Sequence, residues 1–223
     1  MTINKSLYEK NAAELKSGII FGTVASILLL IIVCWVFISN LVFIRVMVDG
    51  PSMQPTLYGG TAIDEYDIVF ANVIRKPSYG DIIIISGEKE NDWLIKRAIA
   101  FGGDTVKIKG GYVYLKKAGE TDFTQLEEPY LAQQGITFYP SVTDSHNTLE
   151  HTWAIGEGQI FYLGDNRMHS ADSRSSFGTC DKSQIVGVVS EFAVKMKGVN
   201  KFFEKLMIPI RRLCGLPVGK EAA

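Results

Sequence analysis

SGIIFGTVASILLLIIVCWVFISNLVFI, residues 17–44, runs for 28 residues without a charged side chain and is bounded by Lys16 and Arg45. At 1.5 Å per residue the part from Ile19 to Ile38 alone covers roughly 30 Å, the thickness of a bilayer hydrocarbon core. A buried helix of a soluble protein seldom stays uncharged on every face for so long. A cleaved signal peptide has an apolar region of about 7–15 residues that ends at a small-residue site. Here the run continues through Ser39 and Asn40 to Ile44. Residues 17–44 are therefore read as an uncleaved transmembrane anchor. Lys5, Lys10 and Lys16 precede it, and Arg45 alone follows before residue 75. That basic bias predicts a cytoplasmic N-terminus over residues 1–16 and an extracytoplasmic remainder, hence a single-pass protein of the cell membrane with the lipid bilayer as one partner.

The rest of the chain has the composition of a folded domain. Of 223 residues 47% are hydrophobic, and 23 Lys and Arg stand against 24 Asp and Glu, a formal charge of -1. So balanced a chain lacks the positive field that nucleic acid demands, and no nucleic-acid partner is expected. Cys34, Cys180 and Cys214 cannot all pair within one chain, and no C-x-x-C accompanies them.

Short β-branched runs separated by turn residues predict a mainly β domain over residues 45–198. Strands are expected at Asp67 to Ile74, Ile82 to Ser86, Val106 to Ile108, Tyr112 to Leu115, Gln159 to Leu163 and Ile185 to Val194. Gly110-Gly111 marks the clearest hairpin. Residues 116–151 are polar and weakly patterned, which predicts a loop-rich insertion into the sheet. The last forty residues read as helical. Within the tail, residues 199–223, Phe202, Phe203, Leu206, Met207, Ile208 and Ile210 alternate with four basic residues. Such a segment suits either an amphipathic helix lying on a membrane or a packed C-terminal helix, and Pro209 argues against a second span.

Three segments carry chemistry. In Gly50-Pro51-Ser52-Met53-Gln54-Pro55-Thr56-Leu57 one hydroxyl sits between two prolines that fix the backbone around it. This is a rigid setting for a nucleophile, and equally a plain turn. In Trp93-Leu94-Ile95-Lys96-Arg97-Ala98-Ile99-Ala100-Phe101 a lysine lies in an apolar run. Burial lowers a lysine pKa from about 10.4 towards 7, which makes the neutral amine a usable base for a serine hydroxyl. The alternative is a lysine that reaches solvent beside Arg97. The third segment, Gly164-Asp165-Asn166-Arg167-Met168-His169-Ser170-Ala171-Asp172-Ser173-Arg174, predicts a structured polar loop whose hydroxyls could orient that amine.

In order and spacing these segments resemble the bacterial type I signal peptidases, membrane-bound serine endopeptidases with a Ser/Lys dyad. The matching residues are Ser52-Met53 with Pro55-Thr56-Leu57 just after an anchor, then Ile95-Lys96-Arg97-Ala98 with Gly103-Asp104 and Val106, then Gly164-Asp165-Asn166-Arg167 with Ser170, Asp172, Ser173 and Arg174. The short stretch from Lys96 to Gly164 is similar to that of the small Gram-positive type. The resemblance implies that Ser52 is the nucleophile, Lys96 the general base and Ser170 the hydroxyl that holds the lysine amine. It implies an Asp172–Arg174 ion pair that braces the loop, and Met53 as a substrate contact. The implied partners are signal peptides of secretory preproteins, near the secretion translocon. Some members carry a serine two positions before the nucleophile, where this chain has Gly50. The oxyanion hole is then expected to rely on backbone N–H groups such as that of Ser52, with Gly50 serving either as an open position or as a special backbone conformation.

No cofactor is implied. His146, His151 and His169 lack the H-E-x-x-H or cysteine pairs of a zinc site, and Phe101-Gly102-Gly103-Asp104 lacks the ending of a phosphate-binding loop. Ser52 follows Ile44 by eight residues, so an extended linker holds it within roughly 29 Å of the apolar run. A membrane-tethered, non-catalytic β binding module would share the anchor and strands but has no need of both Ser52 and Lys96. A self-cleaving regulator would need a DNA-binding region, and the residues before the anchor are too few for one.

Overall fold

Four consecutive isoleucines, Ile82 to Ile85, are all buried, and a strand apolar on both sides belongs at the centre of a sheet covered on both faces. In the computed structural model, which describes residues 2–60, 66–87, 93–138 and 150–213, they form most of β3 (Ile82–Ser86). Two antiparallel sheets account for the described strands. The larger sheet also contains β1 (Phe43–Met47), β2 (Ile68–Asn72), β4 (Trp93–Phe101), β9 (Gln159–Leu163), β10 (Cys180–Asp181) and β11 (Ile185–Val189). Its order is β1-β2-β11-β3-β4-β9-β10. The smaller sheet contains β5 (Thr105–Lys109), β6 (Tyr112–Lys116), β7 (Thr124–Gln125) and β8 (His151–Ala154), in the order β7-β6-β5-β8.

Ile99, Ala100, Phe161 and Leu163 of the larger sheet pack with Val106, Ile108, Val113 and Leu115 of the smaller one in one apolar cluster. A second cluster gathers Val46, Val48, Met53, Leu57, Val69 and Ile84 under the segment that carries Ser52. The hairpin between β5 and β6 turns on Gly110 and Gly111, whose φ values of 57° and 84° lie in the left-handed region. A two-residue turn needs φ > 0 at both positions, which explains the glycine pair.

The anchor region is α1 (Thr2–Val42), one helix of 41 residues, within which Leu15–Cys34 is the stretch long and apolar enough to cross a membrane. The uncharged run is thus not helical to its end. Phe43 and Ile44 belong to β1, where Ile44 pairs with Ala71 and packs against the cluster under Ser52. Ile44, Val46 and Val48 fall on the core face at the period of a strand, which draws this end of the run into the sheet. The expected strand from Ile185 to Val194 is also shorter. It stops at Val189 because Ser190 caps α2 (Glu191–Lys195), accepting a hydrogen bond from the backbone N–H of Ala193 at 3.1 Å. The final helix, α3 (Lys197–Leu213), follows directly.

The insertion differs from a plain loop. Lys116 closes β6, Thr124 and Gln125 form β7, and Glu128 and Thr137 are buried. Of the segment expected to be loop, residues 139–149 lie outside the described residues, as does Cys214.

Removing a buried aromatic from between the sheets should cost far more than removing an exposed one from the same sheet. Phe161 is fully buried and Phe70 is 39% exposed. Phe161→Ala is expected to lose about 3–5 kcal/mol of stability in a denaturant titration, and Phe70→Ala less than about 1 kcal/mol.

Candidate active site

Lys96 occupies the middle of β4, opposite Ile83 of β3, and is only 4% exposed. Its Nζ donates to Ser52 Oγ at 2.9 Å and to the carbonyl of Ile95 at 3.0 Å. Residues 44 positions apart in sequence are thereby brought into contact. Burial pushes the amine down to about 8, against the opposing pull of Asp172 and Asp165, which favour the charged form. Desolvation outweighs the carboxylates because each already has a cation of its own. Arg97 grips Asp165 with Nε to Oδ1 at 2.8 Å and Nη2 to Oδ2 at 2.5 Å. Arg174 grips Asp172 with Nε to Oδ1 at 2.8 Å and Nη2 to Oδ2 at 2.9 Å.

Ser52 is held by the polar loop that follows β9. The Asn166 backbone N–H donates to the Ser52 carbonyl at 3.0 Å, and Asn166 Nδ2 donates to the Pro51 carbonyl at 3.1 Å. Thr56 Oγ1 donates to Asp165 Oδ2 at 2.5 Å. The loop is itself fastened to the insertion, for Arg167 pairs bidentately with Glu128 at 2.5 and 3.1 Å and also bonds Thr137. Arg97 completes the link by lying over the Tyr130 ring, 3.8 Å from its centroid.

Several of these residues escape a reading of the sequence. Arg97, Asp165 and Asn166 stand inside the quoted segments without a signal that separates them from their neighbours. Glu128 and Thr137 stand in a stretch with no pattern at all, because their shared partner is 39 and 30 residues away. Gly164 has a role that its letter does not announce. A Cβ added there would overlap Ser170 Oγ and the carbonyl oxygen of Ser52, so glycine is what lets the two loops close on each other.

Three expected roles look different in the structure. Ser170 Oγ is buried but makes no hydrogen bond among the described residues; the Lys96 amine donates instead to Ser52 and Ile95. Met53 is fully buried in the cluster with Val46, Val48 and Leu57 and does not line the cleft beside Ser52. Its thioether fills the core beneath the nucleophile. Gly50 has φ of 73° with open space where a side chain would project. Its backbone conformation, not lack of room, is the reason for glycine, so a serine there is strained.

Ser52 and Lys96 open onto a cleft of about 320 Å³. One wall is the edge of β1 at Arg45 to Met47, and the other is β4 from Trp93 to Ile95. β9 pairs with β4 only from Arg97 onward, so among the described residues the first half of β4 has a strand on one side alone. The cleft can therefore receive an extended chain through unpaired strand edges, beside a hydroxyl already bonded to an amine.

Gly164→Ala should displace the Ser52 turn, and a shift of about 1 Å at a nucleophile costs about a hundredfold in turnover. We expect such a loss of peptide hydrolysis in purified protein, with Met168→Ala, at a position 61% exposed, close to the parent.

Comparison with known proteins covers most of the chain. A family profile described as signal peptidase, peptidase S26, matches residues 20–193. A signal peptidase I of Bacillus licheniformis is 30% identical over 190 residues, covering 84% of this chain and 91% of the relative. Another, of Bacillus amyloliquefaciens, is 31% identical over 190 residues, covering 80% and 90%. A crystal structure of a signal peptidase I from Enterococcus faecalis aligns with 52% of this chain and 98% of that chain at 29% identity, with a TM-score of 0.39. With the profile running from the apolar helix to α2 and taking in Ser52, Lys96 and the polar loop, the chain belongs to the signal peptidase family, peptidase S26.

Proposed function

We propose that this chain hydrolyses the bond joining signal peptides to exported preproteins, with Ser52 as nucleophile and Lys96 as general base. The observation that carries the reading is the 2.9 Å contact between the Ser52 hydroxyl and a buried amine held down to about 8. Family membership supports the serine-peptidase class and the substrate.

In the reactive state the amine is neutral and the hydroxyl donates to it. As Ser52 Oγ attacks the scissile carbonyl, its proton passes to Lys96 Nζ. The oxyanion is met by backbone N–H groups, among them that of Ser52, since Gly50 offers no hydroxyl. The resulting ammonium gives its proton to the departing amine, leaving an acyl-enzyme. Lys96, neutral again, takes a proton from the water that attacks the ester and returns it to Ser52 Oγ as the acyl group leaves. Val46, Ile84 and Ile95 line the cleft with apolar surface, which suits the small neutral side chains that precede a signal-peptide cleavage site. In this reading Asp172 and Arg174 brace the loop, and the buried Ser170 hydroxyl, which makes no hydrogen bond among the described residues, takes the amine when Ser52 turns to substrate.

The same reading puts the enzyme in the cell membrane. Lys5, Lys10 and Lys16 stay in the cytoplasm, and the domain from Phe43 onward lies outside. Its partners are the precursor, the bilayer and, where precursors emerge, the secretion translocon.

Two outcomes test the proposal. Ser52→Ala and Lys96→Ala should each abolish nearly all cleavage of a preprotein in proteoliposomes, and the double variant should match the singles, because the pair acts as one unit. Since only the neutral amine accepts a proton, kcat/KM should rise with pH through about 8 and level off above it, while Lys96→Arg stays inactive throughout. Multiplying losses or an active arginine variant would exclude the dyad. For orientation, protease added to intact spheroplasts should digest the β domain and spare residues 1–16; a protected domain would reverse the topology.

A further inference from the structure

The C-terminal helix meets the β domain with polar groups and turns its apolar stripe away. Lys197 Nζ donates to the Thr56 carbonyl at 2.8 Å and to Asp67 Oδ2 at 2.9 Å, and Asn200 Nδ2 donates to the Ile68 carbonyl at 3.0 Å. At 3.6 residues per turn, Val199, Phe202, Leu206 and Leu213 fall within about 60° of arc, centred roughly 130° round the helix from Asn200 and about 170° from Lys197. Those four are 43%, 63%, 58% and 89% exposed, and Phe192 of α2 is 70% exposed. A packed C-terminal helix would bury this stripe; among the described side chains, α3 leaves it exposed.

The charges say what covers it. Lys201 and Lys205 lie along one edge of the stripe, Arg211 and Arg212 follow in the last turn, and Glu204 is the helix's only acidic residue. An apolar stripe edged by cations complements the surface of an anionic bilayer. Such a surface is at hand, since the same chain carries an apolar helix of membrane-spanning length. We propose that α3, with Phe192, lies in the interface of an anionic membrane on the side of the β domain, as a second attachment in addition to the anchor. Because Lys197 holds Thr56, four residues beyond Ser52 in the same turn, this attachment fixes the depth of the nucleophile relative to the bilayer. The inference rests on the reading of α1 as a membrane span.

The test uses the full chain in vesicles, with Cys34→Ser and Cys214→Ser as background and an environment-sensitive dye on one introduced cysteine. Leu206→Cys and Phe202→Cys report the stripe, Leu30→Cys the anchor, and the exposed Thr121→Cys the domain surface. In vesicles with one-third phosphatidylglycerol, brominated lipid should quench the dyes at 202, 206 and 30 and leave that at 121 unquenched. Lys201→Gln and Lys205→Gln should each lower the docking equilibrium about fivefold, as loss of one charge near an anionic surface does. A dye at 206 that stays aqueous while that at 30 is quenched would overturn the docking and leave the anchor standing. An unquenched dye at 30 would overturn the span itself. Shielding at 206 that appears only at high protein density would also overturn the proposal, in favour of contact between copies.

Discussion

The structure depends on a buried amine that has no carboxylate of its own. Four cationic side chains are buried in the β domain among the described residues, Lys96, Arg97, Arg167 and Arg174. Each arginine closes on a buried acid, Asp165, Glu128 and Asp172 respectively. Lys96 alone is left with a hydroxyl and a carbonyl among the described residues. Arginine cannot shed its proton and so must be paired, whereas lysine can. The pairing of the three guanidiniums is therefore what leaves the fourth cation free to become a base.

That arrangement also explains why a polar loop can be rigid. Truncating one partner of a buried ion pair strands the other and costs about 3–5 kcal/mol, so each pair fixes the geometry around it. Arg97 lies next to Lys96 on β4 and reaches Asp165, while Asn166 beside Asp165 holds the carbonyls of Pro51 and Ser52. One short path through bonded neighbours thus joins base and nucleophile. Gly164 sits where these strands of contact converge, and its missing side chain is the space that the convergence requires.

Much of this was legible before any coordinates. The isoleucine run, the Gly110-Gly111 turn and the segments around Ser52 and Lys96 are local signals, and local signals are what periodicity and motif carry. Phe43 and Ile44 read as the end of the helix because a strand entering a sheet and the tail of an apolar helix share one composition. Val194 reads as strand because a capping serine is visible only when the chain after it is known to turn. Met53 and Gly50 depend on backbone direction and core packing, to which residue type is silent. The pairing of Arg167 with Glu128 is a fact of tertiary structure, with nothing in the insertion to mark it.

The central claim is that burial without a carboxylate partner keeps Lys96 deprotonated at mildly alkaline pH. Its most direct measurement is an NMR titration of the Lys96 ε-carbon in the full chain in micelles, in the Ser52→Ala background, with the resonance assigned by its loss in Lys96→Arg. The account predicts a midpoint at about 8. A midpoint near the ordinary lysine value of about 10.4 would contradict it, for the amine would then be charged whenever the enzyme works.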